Sequence, residues 1–303
     1  MDNVVVSTLN LSRKEWLEIR RRGIGGSDAG VILGVNQYKT VHELYLEKRG
    51  EIEPPDLSDN EAVHFGNILE DVVAEEYARR TGTKVRRVNQ VLHHPTITIL
   101  QANIDRMLVG QKKGLECKTT GVFTDGWGKP GTDEVPESYL AQCMHYMIVT
   151  GCREWDLAVL IGGQKFSIYT INYDVDLAKN MIDMSIEFWD SVKTGVAPPI
   201  EYAHRSTNDL IRRMYPGTNG QSVELPQEAF DWHAKLVAAK TVKKQADAEA
   251  EEAKNALLAM IGENAIGILP QNAGNYTRKH LIRITPPCDK EKKVPYLDFR
   301  FKK

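Results

Sequence analysis

Residues 97–120 read ITILQANIDRMLVGQKKGLECKTT, two β-prone runs joined by a turn. Ile97, Ile99, Ile104, Met107, Leu108 and Val109 make the first run apolar, and the stretch from Gly110 to Gly114 supplies turn chemistry. Side chains two residues apart on a strand share a face. Glu116 and Lys118 therefore point one way, and Cys117 turns into the opposite layer. If the runs pair across the turn, Asp105 reaches the face of Glu116 and Lys118 near the strand end. Two carboxylates and one ammonium then converge where adjacent strands diverge.

That grouping suits phosphodiester hydrolysis. Mg²⁺ takes oxygen ligands, usually one or two carboxylates with water and phosphate oxygens. Such an ion stabilises charge on the phosphate and makes a bound water a better nucleophile. A neighbouring ammonium orients that water or offsets charge at phosphorus. The same D…ExK spacing also occurs as a surface Glu/Lys pair on an edge strand, so the flanking sequence decides between the two.

Length and composition leave room for one large α/β domain with a smaller appendage: 303 residues, 42% hydrophobic and 26% charged. No apolar run is long enough to span a bilayer and no leader-like segment opens the chain, so a cytoplasmic protein without a membrane partner is expected. Cys117, Cys143, Cys152 and Cys288 form no CxxC pair, which argues against a zinc site, an iron–sulfur cluster or a disulfide framework. A net charge of −2 is nearly silent about nucleic acid, because acidic metal-site residues mask local basic patches.

Ser12 opens the first helix as an N-cap, with Glu15 in the capping-box position. The glycine-rich segment 23–30 follows, and its clustered N–H groups with the Ser27 hydroxyl suit an anion, while Arg22 is placed to clamp a phosphate. The alternative is that Ser27 merely caps the next helix. Residues 62–81 form a helix with Phe65, Leu69, Val72, Val73 and Tyr77 on its apolar side, and Glu70 borders that stripe. Residues 84–91 read as a basic strand. The polar loop 121–136 resembles a lid or a strand-contacting loop. Residues 137–150 make an amphipathic helix whose Gln142 and Tyr146 share a face. Strands at 154–161 and 165–172 flank Gly162-Gly163, and a helix covers 174–194. Residues 201–225 read as a linker with one short helix. A long Ala/Lys/Glu-rich helix spans 226–261, and β signals follow at 265–269, 276–284 and 296–301.

Jointly, the segment 21–50 (RRGIGGSDAGVILGVNQYKTVHELYLEKRG), Gly66-x-x-x-Glu70, Asp105, Glu116-Cys117-Lys118 and Tyr139-x-x-Gln142-x-x-x-Tyr146 resemble the YqaJ-like viral recombinases, the lambda-exonuclease branch of the PD-(D/E)XK nucleases. The resemblance covers residues 11–199. It implies an α/β fold: a restriction-endonuclease-like core over 1–200 with a central mixed β-sheet flanked by helices. A linker (201–225) and a C-terminal helical and β appendage (226–303) complete the chain.

The resemblance further implies a Mg²⁺-dependent 5′→3′ exonuclease, with Mn²⁺ as a substitute, that degrades one strand of double-stranded DNA from its ends. The 3′ overhangs would serve a single-strand annealing protein in phage or prophage recombination within a bacterial host. By position, Asp105, Glu116, the Cys117 carbonyl and Glu70 are the metal-site groups, Lys118 is the catalytic lysine, and Gln142 and Tyr146 match the family's Q-x-x-x-Y helix. Arg22 and Ser27 match the segment associated with the 5′-phosphate. A homotrimeric ring around DNA is implied as well. Here Ala102-Asn103-Ile104 stands where many members carry a small turn-forming group before the aspartate. A structure-specific endonuclease on the same core and a non-catalytic DNA-end-binding module are the alternatives.

Overall fold

The computed structural model describes residues 6–9, 11–282 and 295–302. Two units divide the chain, Met1–Thr218 and Asn219–Lys303. The first begins with a two-residue strand, β1 (Val6–Ser7), and helices α1 (Arg13–Arg21), α2 (Gly26–Ile32), α3 (Val41–Arg49) and α4 (Glu61–Thr81). Strands β2 (Val85–Arg87), β3 (Gln90–His93), β4 (Gln101–Ala102), β5 (Arg106–Leu108) and β6 (Gly114–Thr120) follow. Helix α5 (Glu137–Thr150) leads to β7 (Glu154–Ile161) and β8 (Lys165–Asn172), and α6 (Val175–Thr194) and α7 (Thr207–Met214) close the unit.

Five strands form the central sheet in the order β2-β5-β6-β7-β8. Only β6 and β7 are parallel, in register from Gly114↔Trp155 to Thr120↔Ile161, so the sheet is mixed. A parallel neighbour requires a crossover connection, and α5 supplies it. The sheet divides two cores by simple alternation. Leu115 and Cys117 of β6 and Ala158 of β7 pack with Val73, Ala74 and Tyr77 of α4. Leu157 and Val159 of β7 join Met144 and Met147 of α5 on the other face, together with α2 and α6 residues. Glu116 and Lys118 leave β6 on this second face, beneath α5.

The basic segment expected as one strand splits in two. β2 pairs with β5, whereas β3 pairs with β1 and β4 in a separate three-stranded sheet. Helix α4 also differs from expectation. Val73, Ala74 and Tyr77 are buried, but Phe65 and Val72 are 53% and 49% exposed. Only the C-terminal half of the helix packs into the core, so periodicity over its full length overstates the apolar face.

The loop 121–136 is an edge attachment along most of its length, not a free lid. Gly131 N–H donates to the Ile168 carbonyl at 2.8 Å, and Thr170 N–H to the Thr132 carbonyl at 3.1 Å. Trp127 packs between Tyr139 and Tyr169, with ring centroids 5.7 and 5.3 Å away. Val122 and Phe123 at its start remain exposed. Residues 201–214, expected within a linker, belong to the first unit. Leu210 is fully buried in the main core, and the Arg213 guanidinium pairs with the buried Glu43 carboxylate.

The second unit consists of α8 (Ala229–Ile261) and an antiparallel sheet of β9 (Ile266–Ile268), β10 (Asn275–Ile282) and β11 (Pro295–Lys302), in the order β11-β10-β9. Residues 283 and 284, expected to continue β10, and Cys288 lie outside the described residues.

Candidate active site

Strands β5 and β6 pair over two positions, Arg106↔Leu115 and Met107↔Gly114. Beyond Leu115 they separate, and Asp105 turns its side chain into the gap. Its Oδ2 accepts the Cys117 N–H at 2.9 Å. The N–H and C=O of one strand residue leave by the same edge, so the Cys117 carbonyl also faces Asp105 and away from β7. A side chain has replaced the ladder at this point, which opens the strand edge for chemistry.

Glu116 is 1% exposed. An uncompensated buried carboxylate costs several kcal/mol, so its surroundings must answer the charge. Its Oε1 accepts the Lys118 ammonium and the Gln142 Nε2–H, the latter at 2.8 Å. Gln142 Nε2 also donates to the Tyr146 hydroxyl at 2.7 Å. The Lys118 ammonium further lies over the Tyr139 ring, 5.2 Å from its centroid. Three residues of α5, spaced three and four apart, thus line one wall of the site.

The charges remain unbalanced. Burial raises the Asp105 carboxyl well above the usual range, and Glu116 pushes it further than Lys118 pulls it back. Burial opposes the Lys118 charge, but Glu116 and Asp105 outweigh it and hold the ammonium above its ordinary value. Lys118 is therefore a hydrogen-bond donor here, not a base. Glu116 Oε2 is buried without a hydrogen-bond partner.

This arrangement fits a divalent cation. Among the described residues no three Asp, Glu, His or Cys side chains are already gathered into a ligand set. Mg²⁺ requires fewer, since one or two carboxylates suffice beside water and phosphate oxygens. The unpartnered Glu116 oxygen, Asp105 and the Cys117 carbonyl are the groups that would hold it. Glu70 stands near enough to act on Asp105 electrostatically, but its Oε1 accepts Arg106 Nη1–H at 2.6 Å. Arg106 is 4% exposed and also donates to Asp71 at 2.5 Å. Glu70 therefore borders the site through an arginine and does not converge on it.

The glycine corner adjoins the same wall. A Cβ at Gly26 would stand 2.5 Å from Tyr146 Cε1, so only glycine admits this approach. Helix α2 begins at Gly26 with Gly25 as N-cap, which puts Ser27 inside the first turn and not at the cap. Ser27 Oγ accepts Arg20 Nη2–H at 2.6 Å. The Arg20 guanidinium stacks 4.6 Å over Trp16, one helical turn earlier. Arg22 turns the other way and pairs with Glu18 at 3.2 Å on an exposed face. The cation beside Ser27 is thus Arg20, where the sequence pointed to Arg22.

The structure accordingly brings Asp105, Glu116, Lys118, Gln142 and Tyr146 together, places Glu70 at the border, and joins Ser27 to them through Gly26. Sequence reasoning missed Arg20, Arg106 and the buried pair Asp28 and Lys48. Arg20 was recoverable from the Trp16/Arg20 spacing of four. Arg106 and Lys48 carry no local signal, because their partners lie 20 to 36 residues away.

The mixed sheet carries its D…ExK group at the divergence of two strands and is flanked by helices on both faces, the architecture that the resemblance to PD-(D/E)XK nucleases implies. Residues 15–153 match the YqaJ-like viral recombinase domain. The uncharacterized protein YqaJ of Bacillus subtilis (strain 168) is 43% identical over 226 residues, which cover 73% of this chain and 70% of the relative. The chain belongs to the YqaJ-like viral recombinase family. In structure it is similar to an alkaline exonuclease from Laribacter hongkongensis (20% identity, TM-score 0.48, 65% of this chain and 99% of that one). A phage related exonuclease from Haemophilus somnus 129PT aligns at 13% identity and a TM-score of 0.43, over 60% of this chain and all of that one.

Proposed function

We propose that this protein is a Mg²⁺-dependent exonuclease that degrades one strand of linear duplex DNA from its 5′ end and leaves 3′ overhangs. The observation that carries this reading is the junction of two sites. The buried, half-satisfied Glu116 beside Asp105 and Lys118 suits phosphodiester hydrolysis. The Arg20/Ser27 corner, one residue from the Tyr146 contact, suits a terminal phosphate. An endonuclease has no need of an end-binding corner beside its reactive group.

In this mechanism a water oxygen attacks the scissile phosphorus and the P–O3′ bond breaks. The products are a nucleoside 5′-monophosphate and a strand whose new end again carries a 5′-phosphate. A bound divalent ion would polarise the phosphate and lower the pKa of its water. Lys118 donates to the attacking water or to the phosphate oxygens and offsets the growing negative charge. Gln142 holds Glu116 and Tyr146 in one orientation, which fixes the carboxylate before substrate arrives. Arg20 and Ser27 place the terminal phosphate, so that the next phosphodiester falls at Asp105 and Glu116.

Family membership supports the remaining parts of the reading. A homotrimeric ring would retain the duplex between turnovers, and the 3′ overhangs would pass to a single-strand annealing protein in the cytoplasm of a phage-carrying bacterium. The test is digestion of linear and covalently closed circular duplex, with and without Mg²⁺, on ends bearing 5′-phosphate or 5′-hydroxyl. Mg²⁺-dependent loss of linear DNA alone, faster with 5′-phosphate, is expected. Cutting of circles would move the reading to an endonuclease, and binding of ends without cutting to a non-catalytic module.

A further inference from the structure

Beneath the Arg20/Ser27 corner lies an ion pair that the mechanism above leaves without a task. The Asp28 and Lys48 side chains are each 4% exposed and meet at 2.6 Å. The lysine nitrogen donates its two other protons to the Arg20 and Gly23 carbonyls, both at 2.7 Å. Asp28 Oδ2 also accepts the Gly25 N–H at 2.9 Å, and Oδ1 accepts Arg20 Nη2–H at 3.3 Å. That same nitrogen donates to Ser27. The pair thus holds the end of α1, the connection to α2 and the Arg20 guanidinium in one knot.

A buried ion pair seldom stabilises a fold more than apolar residues of the same size would. Charge counting suggests a different role. With Asp28 alone, the carboxylate would neutralise Arg20 and repel any phosphate that approached. Lys48 cancels Asp28, so a full positive charge remains on Arg20, whose side chain is 36% exposed. Asp28 then fixes the guanidinium plane without consuming its charge.

We propose that Asp28 and Lys48 are positioning residues that set Arg20 against Ser27 and thereby set the preference of this enzyme for a 5′-phosphorylated DNA end. The inference rests on the nuclease reading and on Arg20/Ser27 as the terminal-phosphate clamp. Neither Asp28 nor Lys48 touches the substrate.

The test compares the parent with Arg20→Gln, Asp28→Asn, and Asp28→Asn combined with Lys48→Met. The double variant removes both buried charges together and so avoids the stranded buried cation that destabilises Asp28→Asn. Three quantities are measured: kcat/KM on 5′-phosphate and 5′-hydroxyl duplexes, the Kd for both ends in EDTA by fluorescence anisotropy, and the melting temperature. The double variant should melt within about 5 °C of the parent yet lose the phosphate preference about tenfold or more, in KM and Kd rather than in kcat. Arg20→Gln should lose as much, and adding it to the double variant should cost nothing further. A folded double variant that keeps the parent's preference would reduce the pair to a structural staple and overturn the proposal. A parent that digests linear DNA with no phosphate preference would instead remove the clamp, and the positioning role with it, while the nuclease reading stands. A parent that cuts nothing would remove that reading itself.

Discussion

Gly26 lies against the ring of Tyr146 with no room for a methyl group between them, and this contact joins the glycine corner to the wall of α5 residues beside Glu116. From Tyr146 the connection runs through Gln142 to Glu116 by hydrogen bonds of 2.7 and 2.8 Å. Gly26→Ala forces a Cβ to within 2.5 Å of the ring. Overpacking of this kind costs about 1–3 kcal/mol and displaces the tyrosine hydroxyl. Both melting temperature and nuclease rate should fall. Adding Tyr146→Leu should restore stability but not rate, because Gln142 loses a partner. Recovery of both would show that Tyr146 only fills space.

Lys118 carries the second prediction. Lys118→Ala removes the ammonium that answers Glu116 and the developing charge on phosphate. Loss of one positioned donor of this type costs about a hundredfold or more in rate. Digestion of linear duplex at saturating Mg²⁺ should fall by at least that factor, with DNA-end binding preserved. Turnover within a few fold of the parent would remove Lys118 from the chemistry.

Metal binding should be visible without DNA. With Glu116 Oε2 unpartnered and the Asp105 carboxyl raised by burial and by Glu116, a divalent ion would relieve repulsion as well as add ligands. A ligand at one hundred times its Kd stabilises the folded state by about 2.7 kcal/mol. Mg²⁺ or Mn²⁺ should therefore raise the melting temperature of the parent and leave Asp105→Asn and Glu116→Gln nearly unmoved. In EDTA, Asp105→Asn should melt no lower than the parent, since it removes a like charge beside Glu116. An unchanged metal shift in both variants would place the ion elsewhere.

How far the sequence foretold this site depends on the range of each interaction. Glu116, Cys117 and Lys118 were legible because strand alternation is local, and Gln142 and Tyr146 because helical spacing is local. The Ser12/Glu15 cap formed as read, with Ser12 N–H donating to Glu15 at 2.8 Å. Position beside the glycines points to Arg22, but the turn of α1 directs Arg22 to Glu18 and Arg20 to Ser27. Arg106 and Lys48 were invisible, since a buried cation is specified by partners that only the folded chain brings near. Phe65 and Val72 show the converse: an apolar stripe on α4 gives no sign of where its supporting sheet stops.

The buried pair yields the last prediction, in stability rather than specificity. Burial opposes the Asp28 charge, but Lys48 and Arg20 outweigh it and hold the carboxyl well below its usual range. Burial also pulls the Lys48 ammonium below its usual value, and Asp28 does not fully restore it. Burial of the lysine thus offsets part of what the aspartate gains from the pair. Asp28→Asn should therefore cost about 3–5 kcal/mol by stranding a buried cation, while the double variant with Lys48→Met should cost far less. A carboxyl whose folded pKa is depressed stabilises above its ordinary pKa of about 3.9 and loses that contribution as pH falls below it. Denaturant melts of the parent should thus show a loss of stability that begins near pH 4 and grows toward lower pH. The double variant should show a smaller loss over the same window, and identical acid limbs would mean that Asp28 gains nothing from its partners.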